Sequence, residues 1–219
     1  HGTLDMEFNT DAFQPVSSAG LDKAGYDYCA LGHFHSRIEN AGGTGRIFNA
    51  GSPEPLGFDE EGDHGVFIAT IEKQNNESVI SHSFHKVGIR RFINTRARVD
   101  GCSTDEQAAV KAAEAIEAAG GSADLYRVTL EGYIPHDIRL NTMYITDMLK
   151  DRAFYLKIIN NAIPDYDFGR ISKEQGLRGL FARKMLERAA NASDEEAKSL
   201  IMQALYFGLE AIDEGRVCL

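Results

Sequence analysis

The chain has 219 residues, 43% hydrophobic and 26% charged, which fits a soluble protein of one large or two modest domains with material for a core. No apolar run approaches the roughly 20 residues that cross a bilayer, and no signal peptide is visible, so neither a membrane span nor secretion is expected. The net charge of -10 argues at first against a nucleic-acid partner. Three scattered cysteines, Cys29, Cys102 and Cys218, lack metal-site spacing and point to a reduced, cytoplasmic protein. The chain opens on His1-Gly2-Thr3 rather than Met, which reads as a processed or shortened product.

Residues 1–88 read as β-rich. Strands are predicted at Tyr26–Leu31, Arg46–Gly51, Gly65–Ile71 and Ser78–Val87, with turns at Ala41–Gly45 and Lys73–Glu77. Their closeness predicts an antiparallel meander or hairpins, because the helical spacers of a parallel sheet are missing. From about residue 89 the pattern becomes β-α-β-α-β. It has a strand at Arg91–Val99, a helix opened by Ser103 and Glu106 and stopped by Gly120-Gly121, and a strand at Leu125–Tyr133. A short helix at Asn141–Lys150 and a strand at Ala153–Ile159 complete it. Asp165-Tyr166-Asp167 follows Pro164 and reads as a solvated turn. Residues 169–219 read as helical. Leu177, Leu180, Phe181 and Met185 share one face, Ser193 and Glu196 suggest a second cap, and Leu200, Ile201, Ala204, Leu205, Leu209 and Ile212 form an apolar stripe. That stripe is either core or a docking face for a partner helix. The class is therefore α/β (α+β), divided as 1–88, 89–168 and 169–219.

Charge is unevenly spread. Residues 1–89 hold 13 acids and 5 bases, whereas Arg90, Arg91, Arg96 and Arg98 follow with no acid among them. Arg170 to Arg188 contains six bases, Arg178, Arg183 and Lys184 among them, against Glu174 and Glu187. These stretches are either ordinary solvated helix faces or a phosphate-tracking surface.

The strongest chemical signal is Gly32-His33-Phe34-His35 at the end of a short apolar strand. Two histidines at i and i+2 can address one cavity while the backbone stays extended, and neutral imidazole suits divalent transition metals. Gly32 permits close backbone approach. Alone, the tetrapeptide is equally a pair of surface histidines. Its surroundings add His1-Gly2 upstream, Asn49-Ala50-Gly51-Ser52-Pro53-Glu54-Pro55 at a strand end, and Glu60-Glu61-Gly62-Asp63-His64-Gly65 opening into a strand. His64 reads mainly as structural, with the site within reach. His82 and His85 fall on opposite faces of a strand, and His136 lies in a surface loop.

Taken as a set over residues 1–72, these motifs resemble the calcineurin-like metallophosphoesterases. The resemblance is greatest to bacterial DNA-repair exonucleases of the SbcD and YhaO type. It implies that residues 1–88 are the C-terminal, β-rich half of the catalytic β-sandwich. A small α/β capping domain (89–168) and a C-terminal helical segment would follow. It implies two divalent ions, manganese, with His1 and His33 on one and His35 on the other. Gly32, Asn49, Ser52 and His64 would support the site, and Arg90, Arg91, Arg96, Arg98, Arg178, Arg183 and Lys184 would be candidates for DNA contact. The implied partners are DNA, an ABC-type coiled-coil ATPase of the SbcC kind, and a second copy in a homodimer.

The family's remaining ligands, an Asp and a His in D-x-H, a bridging Asp in G-D, and Asn and His in G-N-H, have no match here, and Asp5, Asp11, Asp22 and Asp27 do not supply them. The expectation is a C-terminal portion of a DNA phosphodiesterase that is inactive by itself. Two alternatives stay open: a phosphatase or cyclic-nucleotide phosphodiesterase on the same scaffold, and a non-catalytic DNA- or partner-binding module.

Overall fold

The computed structural model describes residues 1–5, 14–75 and 77–215; Asp11, Asn76 and Cys218 lie outside them. The fold is mixed α/β, with strands paired both parallel and antiparallel. The chain forms two compact units interleaved in sequence. One comprises residues 1–97, 109–129 and 142–159; the other comprises 98–108, 130–141 and 160–219.

In the first unit, helix α1 (Ser18–Lys23) is capped by Ser17, whose hydroxyl accepts the Gly20 N–H at 3.0 Å. Strands β1 (Cys29–Leu31) and β2 (Ile47–Asn49) pair in parallel, Cys29 opposite Ile47 and Leu31 opposite Asn49. This corrects the expected antiparallel meander. A parallel return needs a crossover of about a dozen residues or more, not necessarily a helix. The segment 32–46, with a 3-10 turn at Ala41–Gly43, supplies it. Strands β3 (Gly65–Gln74) and β4 (Glu77–Lys86) form the expected hairpin. Phe67 and His82 pack against buried Phe48, with ring centres 5.7 and 4.5 Å away. His85 faces the other way, beside Ser83.

The β-α-β-α-β order appears as β5 (Phe92–Arg98), α2 (Asp105–Ala119), β6 (Leu125–Pro135), α3 (Thr142–Met148) and β7 (Tyr155–Asp165), in the sheet order β5-β6-β7. Leu125 N–H donates to Arg91 O and Val99 N–H to Glu131 O, so β5 and β6 run parallel. On β6 the alternate residues Tyr126, Val128 and Leu130 are buried, as are Ala108, Ala112 and Ile116 at helical spacing on α2. The α2 cap lies one residue later than expected. Thr104 Oγ1 accepts the Gln107 N–H, and Gln107, not Glu106, reaches back to the Ser103 N–H. Strand β7 runs through Pro164, where a turn was expected; an edge strand accommodates a residue without an N–H. Asp167 instead caps α4 (Phe168–Ile171).

In the second unit, α5 (Leu177–Ala190) and α6 (Glu195–Glu214) close a core in which Leu205 and Leu209 are 0% exposed, with Tyr166, Ile171 and Ala182. Phe181 and Met185 join it, but Leu177 and Leu180 remain 70% and 49% exposed. Gly208 makes room for Phe181, since a Cβ there would lie 2.1 Å from its ring. The α6 cap is again shifted by one: Asp194 accepts the Ala197 N–H at 2.8 Å, and Ser193 donates to Asp194. No helix of the described residues is long and apolar enough to cross a membrane.

Leu205→Ala should lower the unfolding free energy by about 2–5 kcal/mol, the cost of a core truncation, read from urea denaturation. A second prediction concerns pH. Asp124 is buried, with Oδ1 accepting the Arg91 N–H at 2.9 Å and Oδ2 its guanidinium at 2.7 Å. Burial pushes this carboxyl up, but the Arg91 bonds outweigh it and hold the carboxyl below its usual range. Its folded pKa therefore lies below its unfolded one. The stabilisation is present above the ordinary Asp range and is lost as pH falls through the folded value. Stability should decline on acidification below about pH 4. Asp124→Asn should remove that part of the decline and cost about 1–3 kcal/mol at neutral pH.

Candidate metal centre

The turn Gly32-His33-Phe34-His35 leaves the C-terminal end of β1. His33 has a φ of 114°, a conformation that L side chains rarely adopt. The Gly2 N–H donates to the Gly32 carbonyl at 3.1 Å and fixes the first residues against this turn. The His1 and His33 rings consequently meet edge to face, with centroids 5.3 Å apart. A Cβ on Gly32 would lie 3.2 Å from His1 Nδ1, so glycine keeps that approach open. Two imidazoles sharing one ion at metal–nitrogen distances of about 2.0–2.1 Å have ring centres roughly 5 Å apart. The His1–His33 pair has this spacing and the right donor type.

The half-exposed His35 ring is engaged elsewhere, with Nδ1 2.6 Å from Glu60 Oε1. Among the described residues no three His, Cys, Asp or Glu side chains gather as one metal-holding group. Two imidazoles and a separate third are therefore what these residues could offer to ions.

The supporting shell comes from the end of β2. Asn49, 3% exposed, donates both side-chain N–H groups, to Phe34 O and to Ser36 O, each at 2.8 Å. Its backbone exchanges two hydrogen bonds with Ile38. Gly51, with φ 79°, passes so close to the turn that a Cβ would sit 2.3 Å from His35 O. The Ser52 N–H then donates to that same carbonyl at 3.0 Å. His64 is buried. Its Nδ1 lies 2.9 Å from Ser52 O and its Nε2 3.1 Å from Glu60 O, so both ring nitrogens face protein oxygens.

Glu60 is the residue that sequence reading left unassigned. It is 9% exposed, with its carboxylate taking bonds from His35, the Ser52 hydroxyl and the Leu56 N–H. Burial raises its pKa, but these bonds outweigh burial and hold the carboxyl below its usual range. It stands in the acidic run Asp59 to Asp63, where no local pattern separates the buried carboxylate from the solvated ones. The Gly57 carbonyl, which accepts the Glu60 N–H, closes the turn that carries it inward.

The basic candidates divide between the units. Arg90 lies over the Phe154 ring at 3.7 Å, and Arg91 pairs with Asp124. Arg96 is exposed. Arg98 pairs with Asp100, and Arg178 with both Glu174 and Asp213. Arg183 donates to the Ser172 and Glu174 carbonyls, and Lys184 to Glu187. Much of the positive charge counted along the sequence is thus neutralised locally.

No family model matches the chain, and no curated relative matches it.

Asn49→Ala should leave the Phe34 and Ser36 carbonyls without their buried donors, at about 1–3 kcal/mol. Faster hydrogen exchange at the Ser52 amide, relative to strand amides in the β3–β4 hairpin, is the local readout.

Proposed function

We propose that this chain is the C-terminal portion of a two-metal DNA phosphodiesterase, a manganese-dependent repair nuclease in the cytoplasm that is inactive in this form alone. The observation that supports it most is the His1–His33 ring pair. It joins the first residue of the unit to the turn after β1, where His33 takes a φ of 114°. Non-glycine residues held in such sparsely populated conformations cluster at functional sites. Bound divalent ions would lower the pKa of a coordinated water and offset charge building on the phosphoryl oxygens. His1 and His33 contribute imidazole nitrogens toward one ion and His35 toward the other. Asn49, Gly51 and Ser52 fix the turn that carries the last two. In this reading the α/β elements β5 to β7 form its capping domain, and Arg96 is one candidate for phosphate contact. The exposed Leu177, Leu180 and Leu200 are the candidate contact for a coiled-coil ATPase, and a second copy of the chain is a further candidate partner.

The pairing of Arg91, Arg98 and Arg178 with carboxylates favours one other reading. A phosphatase or cyclic-nucleotide phosphodiesterase needs no long track of free cations.

The protein produced from its natural start should cleave linear duplex DNA only with manganese present. His33→Ala and His35→Ala should each lower the rate by more than about 100-fold, beyond the loss from an outer-shell partner. His85→Ala should leave it unchanged. Hydrolysis of cyclic nucleotides or aryl phosphates in place of DNA would transfer the assignment to the second reading. Cleavage indifferent to both histidines would end the two-metal reading.

A further inference from the structure

We propose that Glu60 is a positioning residue that fixes His35 in its Nδ1–H form and presents Nε2 as the donor nitrogen. The proposal deepens the phosphodiesterase reading and rests on it for the identity of the ligand received by Nε2.

His35 Nδ1 and Glu60 Oε1 are 2.6 Å apart, the short separation of a charge-assisted bond. A carboxylate accepts and does not donate, so the facing ring nitrogen must carry the hydrogen. In a neutral imidazole the lone pair then lies on Nε2. Histidine ligands across metalloproteins are held in this way, with one nitrogen tied to a carboxylate and the other left for the ion.

The carboxylate is itself immobilised. Oε2 accepts the Leu56 N–H and the Ser52 hydroxyl, each at 3.1 Å. The Glu60 N–H is closed onto Gly57 O and its carbonyl lies against His64 Nε2, both at 3.1 Å. The histidine backbone is fixed from the same residue, because the Ser52 N–H donates to His35 O. Ser52 thus links the two ends of one device, the His35 main chain and the carboxylate that orients its ring. A loop anchor alone would require only the backbone bonds; the Oε1 contact reaches outward to a half-exposed ring.

The test separates orientation from function. Two-bond proton–nitrogen correlation on metal-free protein labelled at histidine, at about pH 8 where an ordinary imidazole is neutral, reads which His35 nitrogen bears the hydrogen. His35→Ala identifies the signals. The native protein should show Nδ1–H with a bare Nε2. Glu60→Ala should convert this to a mixture or to Nε2–H, and Glu60→Gln, whose amide oxygen still accepts, should restore Nδ1–H. Manganese titration of the protein from its natural start should show affinity lower by about 10- to 100-fold in Glu60→Ala, with a smaller loss in Glu60→Gln. Nε2–H in the native protein, or a tautomer unchanged in Glu60→Ala, overturns the proposal. If Glu60→Ala does not fold, Glu60→Gln and the native tautomer still decide it. A native Nδ1–H form that Glu60 controls, found in a protein whose DNA cleavage ignores His33 and His35, would retain the positioning role and discard the nuclease assignment.

Discussion

The grip of Asn49 on the Gly32–His35 turn is the constraint on which the site depends. Asn49 ends β2, and parallel pairing brings that end beside Leu31, the last residue of β1. Both strands therefore release their loops at the same edge. The buried amide donates to the carbonyls on either side of His35, fixing the peptide planes that set where that ring begins. A buried amide is costly to leave unpaired, about 1–3 kcal/mol, so the arrangement resists partial opening. With an antiparallel pair the β2 end would lie at the far side of β1, and Asn49 could not reach the turn.

The strain at His33 follows from the same geometry. A β-carbon at a φ of 114° costs on the order of 1–3 kcal/mol, and glycine would adopt it more cheaply. The turn tolerates it because it is bonded at both ends: Gly32 O by Gly2, and the Phe34, His35 and Ser36 carbonyls by Asn49 and Ser52. Gly51 permits the close approach on which the Ser52 bond depends. Stability gathered over several residues is thus used to hold one imidazole in an unfavourable conformation facing another.

The elements were largely legible in the sequence, for physical reasons that also explain the errors. Short runs closed by glycine or by the polar turn Lys73–Glu77 mark β1 to β4, and strict alternation in Tyr126, Val128 and Leu130 marks β6. Periodicity carries no information about the direction of pairing, which depends on the path of the segment 32–46, and this is why a parallel pair was read as a meander. Both helix caps were read one residue early because two capping residues stand side by side, Ser103-Thr104 and Ser193-Asp194. Only the backbone shows which of them takes the N-cap place. Asn49, Ser52 and His64 were visible as neighbours of the histidines. Glu60 was not, since burial of one carboxylate among several is decided by the turn at Gly57 and by a partner far away in sequence.

The same blindness applies to charge. Counting along residues 1–89 gives an acidic half followed by arginine runs, yet the fold pairs these charges across long sequence distances. Asp63 meets Lys86, Asp27 meets Lys73, and Arg91 is bound by Asp124. Asp63–Lys86 and Asp27–Lys73 both fall within residues 1–89, so they fix where charge sits and leave the balance of 13 acids against 5 bases unchanged. Other carboxylates serve as backbone clamps: Glu54 accepts the Ile89 N–H, and Glu61 the Asn94 N–H on β5. Within this unit the acids thus stitch loops to strands, while the ring pair His1–His33 and the half-exposed His35 carry no obligatory negative charge.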